Sequence, residues 1–234
     1  MCLRRMGMAP AAQPGQVKRI VLPLLAAGAC LTALAPARVG AATQRVEKQF
    51  SVSGKPVVVI HNVANGRIEV KSWKNAHQVE VVGTQASNKI AFEIEQAGDR
   101  VDVNANILDA TAQPLELEAN LQLTVPEETE LQLKTETGLI YVEQVAGDMK
   151  LESYAGDVHL KEVSGYIIVK TTGGSLVCTQ CAGKLDFSSI SGNAQLLQPQ
   201  LSNVNLMTTT GNILFDGAFV RTGLYSMKLS LIHI

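Results

Sequence analysis

The sequence is short of aromatic residues and has no excess of charge of either sign, and each shortage excludes a class of protein. Aromatics make up 4% of the 234 residues, so the core of the fold must be mainly aliphatic. Lysine and arginine number 20 and aspartate and glutamate 21. The basic residues are scattered among the acids, without the clustered basic face that phosphate binding requires. We therefore expect no nucleic acid partner.

Helical periodicity is also missing after about residue 42, and a glycine repeat takes its place. Glycine recurs every nine residues at seven successive positions: Gly138, Gly147, Gly156, Gly165, Gly174, Gly183 and Gly192. At an average glycine usage of about 7%, the chance that a given glycine is followed by six more at the same spacing is about one in ten million. The glycines therefore mark a structural repeat.

When the units are aligned on their glycines, the residue types at each equivalent position, or column, predict one short strand and one turn per unit. The second and fourth residues after each glycine are apolar, as Ile140 and Val142 are, whereas the residue between them varies. This period of two is typical of a strand with one buried face. The sixth residue is polar throughout, which indicates a corner that leads to the next glycine.

Two units form a coil of about 18 residues, and stacked coils can bury their inward faces together. We therefore predict an all-β fold, a β-solenoid of stacked coils with two short strands each. One interior row is predicted to be Ile140, Val158 and Leu176, and the opposite row Met149, Ile167 and Leu185. On the outside, Glu143 should lie beside Lys161 and Glu152 beside Lys170, as mildly favourable charge ladders.

Residues 1–42 have the pattern of a secretory signal peptide. Basic residues such as Arg4 and Arg19 precede an apolar run, 20–35, and small residues follow up to Ala42. A retained membrane anchor and lipidation at Cys30 are the alternatives. We expect an exported protein in the periplasm, outer envelope or cell surface, which contacts the membrane only through this segment.

The part from 43 to 137 also alternates like strands but lacks the strict nine-residue spacing. Strands are predicted at 57–60, 67–71, 79–82, 90–95, 100–103, 115–125 and 131–134. Gly66 opens an early copy of the repeat unit, and Gly98 with Asp99 forms a hairpin turn. We expect this less regular β-rich part to cap the solenoid within a single domain, 43–228, whose most regular repeats span 138–220.

Several segments resemble the bacterial putative adhesin family of β-strand-repeat proteins, a domain of unknown function of the DUF4097 type. They are FSVSGKPVVVIHNVANGRIEVKSW, VEVV and LQLTVPEETELQLKTETGLIYV, followed by the glycine-led units. The resemblance covers about residues 46–220. It implies an exported, elongated β-solenoid of the cell envelope, and it carries no catalytic residues over to this chain.

The repeat changes its phase near the end of the chain. The spacing slips by one residue at Pro199, where an insertion at a corner would cost no ladder hydrogen bond, and it resumes with Gly211. The last six residues, 229–234, match one reading frame of a transposon-end adapter used in sequencing libraries, and we interpret them as a scar. The natural protein would then continue past Lys228, and the exposed edge here would self-associate or fray from Ser202 onward.

Cys178 and Cys181 form a CxxC pair without the βαβ pattern of a redox motif. Both occupy inward columns of the repeat, which favours core packing. A local disulfide in an oxidising compartment is the next interpretation, and metal or redox function the least favoured. A zinc site would need four ligands, and the mature chain has no other cysteine.

No residue pattern indicates catalysis, a cofactor or a metal. Calcium-binding turns would need more than the single glycine and the aspartates Asp148 and Asp157 found here. The outward rows show no cluster of acids and bases of the kind that β-helix polysaccharide lyases and hydrolases use. We predict a non-enzymatic adhesin-like or scaffolding protein whose partner is a glycan, another envelope component or a second copy, with a carbohydrate-active β-helix enzyme as the alternative.

Overall fold

Two nine-stranded β-sheets pack face to face around a mainly aliphatic core, and a second, smaller apolar cluster that includes Ile90 lies apart from it. The computed structural model describes residues 44–74, 77–218 and 223–229. The predicted signal peptide, 1–42, lies outside the described residues, and of the proposed scar only Leu229 is described. The strands are β1 (Gln44–Ser51), β2 (Val57–Asn62), β3 (Gly66–Trp73), β4 (Gln78–Gln85), β5 (Ile90–Ala97), β6 (Arg100–Ile107), β7 (Ala119–Pro126), β8 (Glu130–Thr135), β9 (Gly138–Glu143), β10 (Met149–Ser153), β11 (Val158–Lys161), β12 (Ser164–Thr171), β13 (Leu176–Thr179), β14 (Ala182–Ser189), β15 (Ala194–Leu197), β16 (Gln200–Thr208), β17 (Ile213–Asp216) and β18 (Leu224–Leu229).

The first sheet has the order β1-β4-β7-β3-β9-β11-β13-β15-β17, and the second β18-β16-β14-β12-β10-β8-β2-β6-β5. From β8 to β18 successive strands alternate between the sheets, so two units complete one coil. Ile140, Val158 and Leu176 pair in register in the first sheet, and Met149, Ile167 and Leu185 in the second. All six side chains are at most 1% exposed. The predicted β-solenoid and both interior rows are confirmed.

Close stacking of the backbone explains the glycine period. A Cβ added to Gly156, Gly174 or Gly192 would overlap the carbonyl oxygen of the glycine one coil earlier. Gly165 and Gly183 meet the same obstacle in the second sheet. Adjacent coils are only about 4.8 Å apart. A side chain at these corners would therefore force neighbouring coils apart.

The polar sixth residue of each unit lies at a corner, and the two sheets have different kinds of corner. After first-sheet strands it is Gln144, Glu162, Gln180 or Gln198, all left-handed with φ between 50° and 60°. After second-sheet strands it is a buried Ser or Thr. Ser153 Oγ accepts the Gly156 N–H and donates to the Gly156 carbonyl, both at 2.8 Å, and Thr171 Oγ1 accepts the Gly174 N–H at 2.8 Å. These hydroxyls satisfy backbone groups that the corner would otherwise leave unpaired.

The N-terminal part begins in the middle of the sheets and builds outward. β2 and β3 form a coil next to β8 and β9, with Gly66 paired to Gly138 and Ile68 to Ile140, as the early copy of the repeat predicted. β6 and β7 add a parallel coil on the far side of β2 and β3. β1, β4 and β5 then close that end with antiparallel pairs. The change from parallel to antiparallel pairing ends the stack of parallel coils. The predicted hairpin turn at Gly98 connects β5 to β6.

Two local predictions were wrong. The strand predicted at 115–125 begins only at Ala119, because Pro114–Glu116 forms a 3-10 turn in which the Glu116 carboxylate accepts the Gln113 N–H at 3.0 Å. The extra residue predicted at Pro199 lies instead at Ser202, as a bulge inside β16, and pairing shifts between Gly183 and Lys184 of β14. Ser202 Oγ donates to the Gly183 carbonyl at 3.0 Å, so the bulge keeps a cross-strand hydrogen bond.

Candidate functional surface

Charged side chains surround Tyr141 on the outward face of the first sheet. Lys161 Nζ lies 2.7 Å from Glu143 Oε1, and the Tyr141 hydroxyl donates to Glu143 Oε2 at 3.1 Å. Arg67 and Lys71 of β3 lie over the Tyr141 ring, 5.2 Å and 5.9 Å from its centroid. Parallel pairing of β3, β9 and β11 produces this arrangement, because it brings Lys71, Glu143 and Lys161 into one row.

The pKa shifts of this cluster follow from its contacts. The hydrogen bond from Lys161 lowers the pKa of Glu143, with a smaller contribution from Tyr141, and Glu143 in turn raises the pKa of Lys161. Burial, and then the hydrogen bond to Glu143, raises the pKa of Tyr141. At neutral pH Glu143 is ionised, Lys161 is protonated and Tyr141 is neutral, so these three side chains satisfy one another's charges and hydrogen bonds. Lys71 pairs mainly with Glu69, at 2.7 Å. Glu143 and Lys161 form the ladder pair predicted from the sequence.

The lowered pKa of Glu143 predicts acid sensitivity of the fold. Its ionised form is favoured in the folded state, so its contribution to stability is complete above the ordinary glutamate pKa of 4.5 and is lost as pH falls through the lower folded-state value. We expect Glu143→Gln to reduce the loss of stability between pH 6 and pH 3, measured by urea unfolding. Glu127→Gln is the control, because Glu127 forms no ion pair among the described residues. Equal pH dependence in both variants and the parent would contradict the assignment.

A groove lies at the corner of the second sheet where β8, β10 and β12 end. Its volume is about 690 Å³, and it is lined by Lys134, Thr135, Glu136, Thr137, Glu152, Ser153, Tyr154, Lys170, Thr171 and Thr172. The parallel register places Lys134, Glu152 and Lys170 in one outward row. Backbone hydrogen bonds continue past the strand ends, from Tyr154 N–H to the Thr135 carbonyl and from Thr172 N–H to the Ser153 carbonyl. Hydrogen bonds between coils therefore extend into the corner.

Charges in this groove are only partly paired. Glu152 Oε1 contacts Lys150 Nζ at 2.9 Å, and this hydrogen bond, more than the charges of Lys170 and Lys134, lowers the pKa of Glu152. Glu152 and Lys170 stack in register as predicted, but the close ion pair of Glu152 is with Lys150. Among the described residues, Lys134 and Lys170 form no ion pair. Two ammonium groups therefore remain available on either side of Glu152.

Tyr154 is the exposed aromatic residue of the groove, with 66% of its surface accessible. Cys181 is the seventh residue of its repeat unit, a position predicted to face inward, and the seventh residue is buried at Val145, Val163 and Cys181. At second-sheet corners the same column points outward, at Tyr154, Thr172 and Ile190. Treating the two kinds of unit separately, every 18 residues, would have separated these columns and revealed the aromatic residue.

Other residues singled out in the sequence have structural contacts. Cys178 and Cys181 are joined as a disulfide, with their Cα atoms 6.0 Å apart. Both are buried, so they also pack in the core, and the two interpretations made from the sequence, core packing and a local disulfide, are compatible. Asp157 Oδ1 accepts the Ser175 N–H at 2.8 Å, and Asp148 Oδ1 accepts the Tyr166 N–H at 3.3 Å. Each aspartate thus caps backbone of the following coil.

No group of three or more metal-ligating side chains occurs within residues 44–74, 77–218 and 223–229. Over the same ranges, none of the helices is both long enough and apolar enough to cross a membrane.

Stacked two-strand coils with glycine corners define a β-solenoid repeat protein. The chain belongs to the Toastrack DUF4097 family, whose model matches residues 54–223, and this confirms the resemblance inferred from the sequence. No protein with a curated description matches the chain.

Three solved structures are similar to this chain. A putative cell adhesion protein from Clostridium sporogenes shares 11% identity with a TM-score of 0.45, over 75% of this chain and 100% of that one. A putative lipid binding protein from Parabacteroides distasonis shares 8% identity with a TM-score of 0.30, over 79% and 97%. A putative adhesin from Parabacteroides merdae shares 10% identity with a TM-score of 0.21, over 79% and 97%.

Proposed function

We propose that this chain is an exported, non-enzymatic envelope protein that uses its β-solenoid as a rigid binding surface in adhesion or scaffolding. The observation that carries the proposal is the fixed spacing of outward side chains on stacked parallel strands, with the groove around Tyr154 as the exposed part of that surface. Binding residues held on strands lose little conformational freedom when a ligand binds, which favours recognition. The basic and apolar pattern of residues 1–42 supports export.

The carboxylates of the two outward clusters are not suited to act as general acids. Glu143 and Glu152 each accept a hydrogen bond from a lysine, at 2.7 Å and 2.9 Å, and both have a lowered pKa. A general acid at neutral pH needs a raised carboxyl pKa. These two groups are therefore suited to accepting hydrogen bonds from a ligand.

A screen of the purified protein against immobilised glycans tests this function with two readouts. We expect retention of one or more glycans without release of shorter products. Product release that Glu143→Gln or Glu152→Gln abolishes would replace the proposal with a carbohydrate-active enzyme. Failure to retain any glycan would remove the glycan partner and leave self-association as the binding mode to test by sedimentation.

A further inference from the structure

We propose that the groove around Tyr154 binds an acidic oligosaccharide, with a sugar ring stacked on Tyr154 and a carboxylate held by Lys134 or Lys170. The inference rests on the proposed function and assigns to it a site and a ligand class. It depends on three features of the groove: the exposed ring, the unpaired lysines and a wall of mixed apolar and polar surface.

Tyr154 offers a flat apolar surface surrounded by polar groups. Its side chain lies beyond the end of β10, between Glu136 and Thr172 of the neighbouring corners, and 66% of it is exposed. A pyranose ring has an apolar face of C–H groups and a rim of hydroxyls. Stacking that face on an exposed tyrosine buries apolar surface while the rim stays within reach of polar partners. An exposed ring set among hydrogen-bonding groups therefore fits a sugar.

The two unpaired ammonium groups select for an acidic sugar. Lys134 and Lys170 lie two strands apart in one row, so their backbones are separated by about 10 Å, and Tyr154 is diagonal to both at roughly 7 to 8 Å. Glu152 lies between them, but Lys150 holds it at 2.9 Å and offsets its charge. A carboxylate on a sugar stacked over Tyr154 would reach either lysine. Alternate acidic units of a longer chain would reach both.

The walls of the groove combine apolar and polar surface. Apart from Tyr154, every lining side chain ends in a polar or charged group, whereas most of the exposed lining surface is apolar. A sugar, with apolar C–H faces and polar hydroxyls, matches a mixed surface of this kind. The Glu136 carboxylate and the Thr172 hydroxyl can bond to sugar hydroxyls, whereas the Thr137 hydroxyl donates to Asn65 Oδ1.

Titration calorimetry with oligogalacturonate of four units, with a neutral glucose oligosaccharide of equal length as the comparison, tests the inference. We expect the acidic oligosaccharide to bind at least tenfold more tightly than the neutral one. Tyr154→Ala should weaken binding about tenfold, and Lys134→Gln combined with Lys170→Gln should remove the preference for the acidic ligand. Tyr166→Ala and Lys184→Gln are matched controls on the same sheet outside this groove, and they should leave affinity unchanged.

Each remaining outcome overturns the inference in a recognisable way. Equal binding of both oligosaccharides would overturn the role of the lysines, and equal binding of oligoglutamate would overturn the assignment to a sugar. Glycan binding that Tyr154→Ala leaves unchanged would place the ligand elsewhere, so the groove inference would fail while the proposed function stands. Because Tyr154 is exposed, an unchanged thermal unfolding midpoint of Tyr154→Ala would exclude misfolding as the cause of lost binding.

Discussion

Replacing Gly174 with alanine is expected to lower the free energy of unfolding by roughly 3 to 5 kcal/mol. Gly174 is buried at the corner between β12 and β13, directly beside Gly156 of the preceding coil. A Cβ would overlap the Gly156 carbonyl oxygen, and the atoms in the way are backbone, which cannot rotate aside. The added methyl would separate two coils and weaken the Thr171 hydrogen bond to the Gly174 N–H.

The preceding residue provides a matched control. Gly173 is exposed, and a Cβ placed there would come no closer than 3.9 Å to any heavy atom outside its two chain neighbours. Gly173→Ala makes the same chemical change one residue away, and we expect the free energy of unfolding to change by less than about 1 kcal/mol. Urea unfolding followed by circular dichroism measures both variants. Equal effects at 173 and 174 would show that coil stacking does not explain the glycine period.

Truncation of Phe187 to alanine is expected to cost roughly 3 to 5 kcal/mol of unfolding free energy. Its side chain is 1% exposed and is the largest fully buried side chain among the described residues. Val169 and Leu206 flank it in register on the neighbouring strands. The cavity left by the ring would lie between two sheets of closely paired strands, which cannot collapse into it without losing hydrogen bonds.

Ser188→Ala is the control for this second variant, because Ser188 is the next residue of β14 and its side chain is exposed. We expect a change within about 0.5 kcal/mol. A loss of less than about 1 kcal/mol for Phe187→Ala would indicate that this end of the core is loosely packed. It would also weaken the description of the two sheets as one apolar core.

Coil geometry was predictable because one physical constraint repeats along the sequence. The close approach of glycine backbones at each corner fixes the nine-residue period, and apolar residues two apart fix the inward face of each strand. Together these place Val158 beside Ile140 and Ile167 beside Met149 without any structural information. Gly66, 72 residues before Gly138, was also recognisable because it opens the same apolar pattern.

Other features depend on contacts that a nine-residue pattern does not record. Ser202 carries the bulge because its hydroxyl can bond the Gly183 carbonyl, whereas proline at 199 only suggested an interruption. Glu152 forms its ion pair with Lys150 on its own strand, and the in-register neighbour Lys170 is not within ion-pair distance. The exposure of Tyr154 was not predicted, because the seventh residue of the repeat unit points inward at first-sheet corners and outward at second-sheet corners.

Nuclear Overhauser contacts between residues of the repeat test the stacked-coil account most directly. Stacked coils should give backbone contacts between residues 18 apart, such as Ile167 with Leu185 and Val158 with Leu176, because each pair lies on adjacent parallel strands. They should give none between the backbones of Ile167 and Leu176, since β12 and β13 belong to different sheets. Backbone contacts between residues nine apart, without those at 18, would contradict the solenoid and the binding surface built on it.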